Sequence, residues 1–136
     1  MRGFKINIEK ATSENDNFRK VLYTAAHSQL VLMSLKPNEE IGKEVHVDND
    51  QFFRVESGQG RCIIDEYEYQ LKEGDAIVVP AGAEHNVINT SKILSLKLYT
   101  IYSPPHHKDG IVRATKRAAE TETEEFDGVT TETVMA

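Results

Sequence analysis

The stretch that most constrains the fold of this chain is residues 74–89. It opens with a Gly-Asp turn and continues into an apolar run, Ala76 to Val79, whose β-branched side chains are typical of a buried strand. A Pro-Ala-Gly segment then breaks the strand, because proline has no backbone donor. A second strand begins at His85, with Val87 and Asn89 on the same face at a period of two.

Short strands and turn residues alternate in the same way through most of the chain. Further strands are predicted over residues 20–25, 30–35, 41–47, 51–56, 61–64, 67–71 and 95–102. Recurring β-branched residues and glycine breaks disfavour a helical protein. Strands of this length at this spacing indicate an antiparallel sandwich or barrel.

The 136 residues are predicted to form one domain, since domains of about 100–150 residues are the commonest. Residues 1–19 form a polar arm in which Phe4, Ile6 and Ile8 alternate, so an edge strand is possible there. Residues 20–103 form the barrel. Residues 104–136 form a loop and a charged tail, which is predicted to be mobile rather than helical.

Composition and charge disfavour several classes of function. No run of about 18 apolar residues is present, so no membrane-spanning helix is expected. The N-terminal residues lack the apolar core of a signal peptide, and the single cysteine, Cys62, cannot form an internal disulfide. We therefore expect a cytoplasmic protein with no membrane partner. The formal net charge of −6 argues against nucleic-acid binding, which needs a basic surface.

Two segments of this chain resemble the two sequence motifs of the cupin superfamily. Residues 74–89 read Gly-x5-Pro-x-Gly-x2-His-x3-Asn, which matches the second motif completely. Residues 44–58 resemble the first motif, with His46 and Gly58 in place, Glu44 where a first His is usual and Gln51 where a Glu is usual. The resemblance covers roughly residues 31–102. It implies an all-β fold, the antiparallel double-stranded β-helix (jelly roll, or cupin barrel).

The resemblance also implies a metal site, because cupins bind one divalent ion at these four positions. The implied ligands are Glu44, His46, Gln51 and His85. The segment between His46 and Gln51 is predicted to be a hairpin turn, which would place these two residues opposite each other. Imidazole and oxygen donors together suit Zn, Mn, Fe or Ni. The alternative is a barrel that keeps the motif while its polar groups bond one another.

His106 and His107 follow the last predicted strand, after two prolines that end the ladder. They either fold over the barrel, as a general base or as further ligands, or form a solvated loop. Together with Glu44 they are the candidate catalytic residues. The Pro-Pro-His-His-Lys-Asp-Gly string that contains them resembles a segment of small cupins labelled mannose-6-phosphate isomerase-like.

Three functions are compatible with this sequence. The first is a metal-dependent enzyme acting on a small polar substrate such as a sugar or sugar phosphate, in an isomerase-like reaction. The second is an Fe- or Mn-dependent dioxygenase. The third is a non-catalytic ligand-binding or sensor cupin. Since cupins commonly pair through edge strands or domain-swapped N-terminal strands, the resemblance also predicts a homodimer.

Overall fold

The computed structural model describes residues 1–132, which contain ten strands and two helices. The strands are β1 Arg19–Thr24, β2 Gln29–Leu35, β3 Glu44–Val45, β4 Asp50–Ser57, β5 Gln59–Ile64, β6 Tyr67–Lys72, β7 Ala76–Val79, β8 Glu84–Asn89, β9 Leu96–Ser103 and β10 Val112–Arg113. The helices are α1 Ile8–Glu14 and α2 Lys116–Thr121. Neither helix is long and apolar enough to cross a membrane, within the part of the chain that the structure describes.

The strands form two antiparallel sheets that enclose one core. One sheet has six strands in the order β10-β1-β2-β9-β4-β7, and the other has four in the order β3-β8-β5-β6. Side chains of β9 alternate strictly, with Leu96, Leu98, Thr100 and Tyr102 buried between the sheets. The predicted all-β, antiparallel jelly roll is therefore confirmed. Cys62 lies fully inside this core, where burial raises the pKa of its thiol to about 11.

The predicted edge strand in the N-terminal arm is wrong. Phe4 and Ile6 are exposed, and the chain enters α1 at Ile8. The side chain of Asn7 accepts a hydrogen bond from the backbone N–H of Lys10 at 3.1 Å. This N-cap satisfies one of the free donors of the first turn, which favours a helix over a three-residue alternation.

The C-terminal segment, predicted to be a loop and a mobile tail, instead packs against the barrel. β10 pairs with β1, and His107 bridges to Glu125. Thr115 caps α2 by accepting a hydrogen bond from the N–H of Ala118 at 3.1 Å. The tail was predicted to be mobile rather than helical, but a helix, α2, is present in it. The last four residues of the predicted tail, 133–136, lie outside the described residues.

The predicted hairpin between His46 and Gln51 is also wrong. The strand expected over residues 41–47 is reduced to β3, which pairs with β8 in the four-stranded sheet. β4 lies in the other sheet, where Gln51 pairs with Val79 and Tyr102. The turn between them crosses from one sheet to the other. His46 and Gln51 thus approach the interior from facing sheets rather than along one ladder.

Candidate metal centre

Three potential metal ligands converge at one end of the barrel. Glu44 on β3 lies opposite His85 on β8, and opposite partners share a face of the sheet. His46 follows β3 directly, and its Nε2 lies 3.0 Å from Oε2 of Glu44. The His46 and His85 ring centroids are 5.2 Å apart. One ligand atom from each of the three side chains lies within 4.8 Å of the other two.

His85 is oriented as a metal ligand would be. Its ring is buried, and Nδ1 lies 3.3 Å from the backbone oxygen of Ala83. Because that oxygen can only accept, the contact places the proton on Nδ1 and leaves Nε2 as an acceptor. The buried Nε2 has no hydrogen-bond partner among residues 1–132. Burial lowers the pKa of His85, although the Ala83 contact opposes this, so the ring is in the neutral form that binds metals.

Gln51 offers a second buried acceptor without a partner. Its Nε2 donates to Oγ1 of Thr100 at 3.0 Å, which orients the amide group. Its Oε1 has no hydrogen-bond partner within the described part of the chain. Gln51 is the cross-strand neighbour of Tyr102, whose ring centroid is 5.7 Å from that of His46. An amide oxygen at this position remains the predicted fourth donor.

The charge of the Glu44 carboxyl suits a cation. Burial, the largest influence, would raise its pKa, but the hydrogen bond with His46 and the nearby charge of Arg19 help to lower the pKa overall. Glu44 is therefore ionised at neutral pH. One carboxylate, two imidazoles and an amide oxygen fit a divalent ion such as Zn, Mn, Fe or Ni. The two unpartnered acceptors, on His85 and Gln51, are the structural observation that supports this fit.

His106 and His107 lie beside this cluster, so the solvated-loop interpretation is wrong. The ring centroid of His106 is 4.3 Å from that of His46 and 4.7 Å from that of His107. Nε2 of His107 lies 3.3 Å from the hydroxyl of Tyr102. The candidate catalytic residues named from sequence therefore meet at the candidate metal centre.

The buried amide of Gln29 holds the two histidines in place. Its Oε1 accepts from the backbone N–H groups of His106 at 3.2 Å and His107 at 2.9 Å. Its Nε2 donates to the backbone oxygen of His107 at 2.7 Å. Burial, reinforced by nearby positive charges, lowers the pKa of His106 to about 4 and that of His107 to about 2. Both rings are therefore neutral at pH 7.

A cavity of about 270 Å³ adjoins the cluster. Glu44, His106 and His107 line one side, and α2 with the residues after it lines the other. Arg19 also lines this cavity. It is not among the residues predicted from sequence, because the predicted strand begins at residue 20. Alternation with the buried Val21 was the available signal, since it places Arg19 on the inward face.

The fold and the donor set define a single-domain jelly-roll protein with a candidate divalent-metal centre. The cupin domain family matches residues 31–102, which is more than half of the chain. This chain therefore belongs to the cupin domain family.

Similar proteins support the assignment over most of the chain. The uncharacterized protein YrkC of Bacillus subtilis is 45% identical over 122 residues, covering 85% of this chain and 65% of YrkC. An uncharacterized protein of Acanthamoeba polyphaga mimivirus is 46% identical over 110 residues, covering 79% of this chain and 69% of that protein. This chain thus spans about two thirds of both relatives. The crystal structure of BH2720 from Bacillus halodurans matches with a TM-score of 0.86 and 42% identity, over 88% of this chain and 95% of that one.

Proposed function

We propose that this cupin binds one divalent metal ion and acts as an enzyme on a small polar substrate, such as a sugar or sugar phosphate. Glu44, His46 and His85 would hold the metal, with Gln51 as the fourth donor. The observation that carries the proposal is the buried, unpartnered Nε2 of His85 beside the other donors. A buried acceptor left without a hydrogen bond is costly unless a ligand completes it.

The reaction we propose is an isomerase-like proton transfer, as in an aldose–ketose interconversion. When bound, the metal would act as a Lewis acid that polarises a carbonyl or hydroxyl oxygen. His106 is the proposed base, because its ring contacts His46 and lines the adjoining cavity. His107, held by Gln29 and Tyr102, fixes the backbone on which His106 is presented. The resemblance of residues 104–110 to a segment of small cupins labelled mannose-6-phosphate isomerase-like is consistent with this class of reaction.

A solvent-isotope experiment tests this function. Protein reconstituted with one equivalent of Mn, Fe, Ni or Zn would be incubated in D₂O with aldose and ketose phosphates and followed by NMR. We expect the isomeric sugar to appear with one solvent-derived deuterium on the carbon that exchanged its proton. The His106→Asn variant should keep its metal and lose activity by at least about 100-fold, the smaller end of the range for a general base.

Three results would contradict the proposal. Unchanged turnover in the His106→Asn variant would remove His106 from the chemistry. Oxygen consumption with diketones or catechols, without isomerisation, would indicate a dioxygenase. Binding of sugars by the metal-loaded protein without any turnover would indicate a non-catalytic ligand-binding cupin.

We further propose that the protein is a homodimer that pairs through the edge strands β6 and β7. Tyr67 and Tyr69 on β6 and Val78 on β7 are exposed large apolar side chains at the unpaired edges of the two sheets. Exposed apolar edges favour pairing with another chain.

Light scattering after size exclusion should give twice the 15.3 kDa chain mass. Val78→Lys should give the monomer, and Ile93→Lys, at an exposed loop position, should not. A wild-type monomer at micromolar concentration would contradict the dimer.

A further inference from the structure

Arg19 is a buried cation at the wall of the cavity. It opens β1 and is only 9% exposed, on the same inward face as Val21. Its guanidinium carbon lies 5.4 Å from the centroid of the Phe18 ring. The same cavity is lined by Glu44 and His106, so it connects Arg19 directly to the candidate metal centre.

Arg19 makes no direct ion pair within the described residues, although its charge is near enough to help lower the pKa of Glu44. Nε of Arg19 is buried and has no hydrogen-bond partner among residues 1–132. None of the ion pairs within those residues involves Arg19. Five carboxylates line the cavity, and none forms an ion pair with Arg19. Glu44 contacts His46, Glu120 pairs with Lys116 at 3.8 Å and Glu124 pairs with Lys108 at 3.6 Å. The other two are Glu122 and Glu125. A buried guanidinium without a partner is unfavourable, and arginine is rarely left in this state without a function.

A second guanidinium lies opposite the first. Arg113 on β10 is the cross-strand partner of Arg19. Its Nε donates to the backbone oxygen of Glu122 at 2.8 Å, and its Nη1 donates to that of Val112 at 3.1 Å. These oxygens are neutral, so they do not cancel the charge of either arginine. Like charges at opposite positions destabilise a sheet unless an anion lies near them.

We propose that Arg19 binds the anionic group, a carboxylate or a phosphate, of the small molecule that this cavity accepts. The guanidinium fork matches the two oxygens of either group. The cavity volume suits a compound of a few carbon atoms. Bound in this way, the uncharged end of the molecule would point along the cavity toward His106 and Glu44. The inference rests on the proposed function and specifies its substrate class as anionic.

Three compounds that share a carbon skeleton test the inference by titration calorimetry. Glycerate carries a carboxylate, glycerol 3-phosphate carries a phosphate, and glycerol carries no charge. Each would be titrated into metal-loaded protein, and into protein treated with chelator and then desalted. We expect one of the two anions to bind in both preparations and glycerol to bind in neither. The anion that binds shows whether the cavity accepts a carboxylate or a phosphate.

Variants of Arg19 assign the binding to this residue. Arg19→Gln should weaken anion binding at least about tenfold, the effect of losing one charge-assisted hydrogen bond. Arg61→Gln, which removes an equal charge from a surface pair with Glu68, should leave the affinity unchanged. Arg19→Lys keeps the charge without the fork, and an intermediate affinity is expected. It also provides a folded variant if Arg19→Gln does not fold.

Several outcomes would overturn the inference. It fails if glycerol binds as tightly as the anions, if neither anion binds, or if both folded Arg19 variants bind like the wild type. If the anion binds only to metal-loaded protein and the Arg19 variants bind it as the wild type does, the anion is bound by the metal. The inference then fails and the proposed function stands. If the protein binds no metal but still binds the anion through Arg19, the inference stands and the proposed metal-dependent function fails.

Discussion

Replacing His85 with alanine is expected to remove most of the bound metal while the barrel stays folded. His85 is the donor whose orientation is best defined, because the contact with Ala83 leaves its Nε2 free. Disturbing only the groups that orient a ligand typically costs 10–100-fold in metal affinity, so loss of the ligand itself should cost at least about 100-fold. The deleted ring packs near Phe53, and we expect the cavity left behind to cost about 1–3 kcal/mol of stability.

Elemental analysis by mass spectrometry measures this directly. Untagged protein, purified without chelator, should carry near one equivalent of a divalent metal, and His85→Ala should carry little. His27→Ala is the matched control, because His27 is an exposed imidazole outside the site. Full metal content in His85→Ala would refute the ligand assignment. If the wild-type protein takes up none of Mn, Fe, Ni and Zn, the metal site is refuted and a non-catalytic ligand-binding or sensor cupin is favoured.

The parts of the fold that the sequence predicted are those encoded by local pattern. Residues 76–79 and 84–89 form strands where the apolar run and the Pro-Ala-Gly break indicated them. The predicted burial of the first strand is wrong, because β7 lies at the edge of its sheet and leaves Val78 exposed. His85, Val87 and Asn89 are all buried, as a period of two required. The convergence of Glu44, His46 and His85 was available only through the resemblance to cupins, because no local pattern places β3 beside β8.

The errors arose where long-range contacts decide the structure. The charged segment after Ala114 looked unable to form a core, yet β10 finds a partner in β1, and Ala119 of α2 is buried. The turn between His46 and Gln51 has hairpin composition, but it connects two different sheets. Arg19 was overlooked because its inward direction depends on where β1 begins, and the ends of strands are poorly encoded in sequence.

Replacing Gly58 with alanine is expected to destabilise the fold far more than the same change at Gly74. Both glycines have φ near +91°, where an alanine is strained. At Gly58, a Cβ would also lie 2.5 Å from the backbone oxygen of Ser95 and 3.1 Å from Cα of Leu96. Neither backbone atom can move without shifting the start of β9, which pairs with β4 and β2.

Gly74→Ala is therefore the matched control, because a Cβ there meets no atom within 4 Å. We expect Gly74→Ala to lower the free energy of unfolding by about 1–2 kcal/mol, the cost of an alanine in the left-handed region. Gly58→Ala should lower the free energy of unfolding by the same amount and by about 1–3 kcal/mol more, because its Cβ would clash with the backbone of β9. Urea unfolding of the two variants and the wild type measures both values. Equal losses would mean that positive φ alone explains both motif glycines. A larger loss at Gly58 would mean that the glycine of the first motif is required because two backbone segments meet there, whereas that of the second motif is required only by its turn.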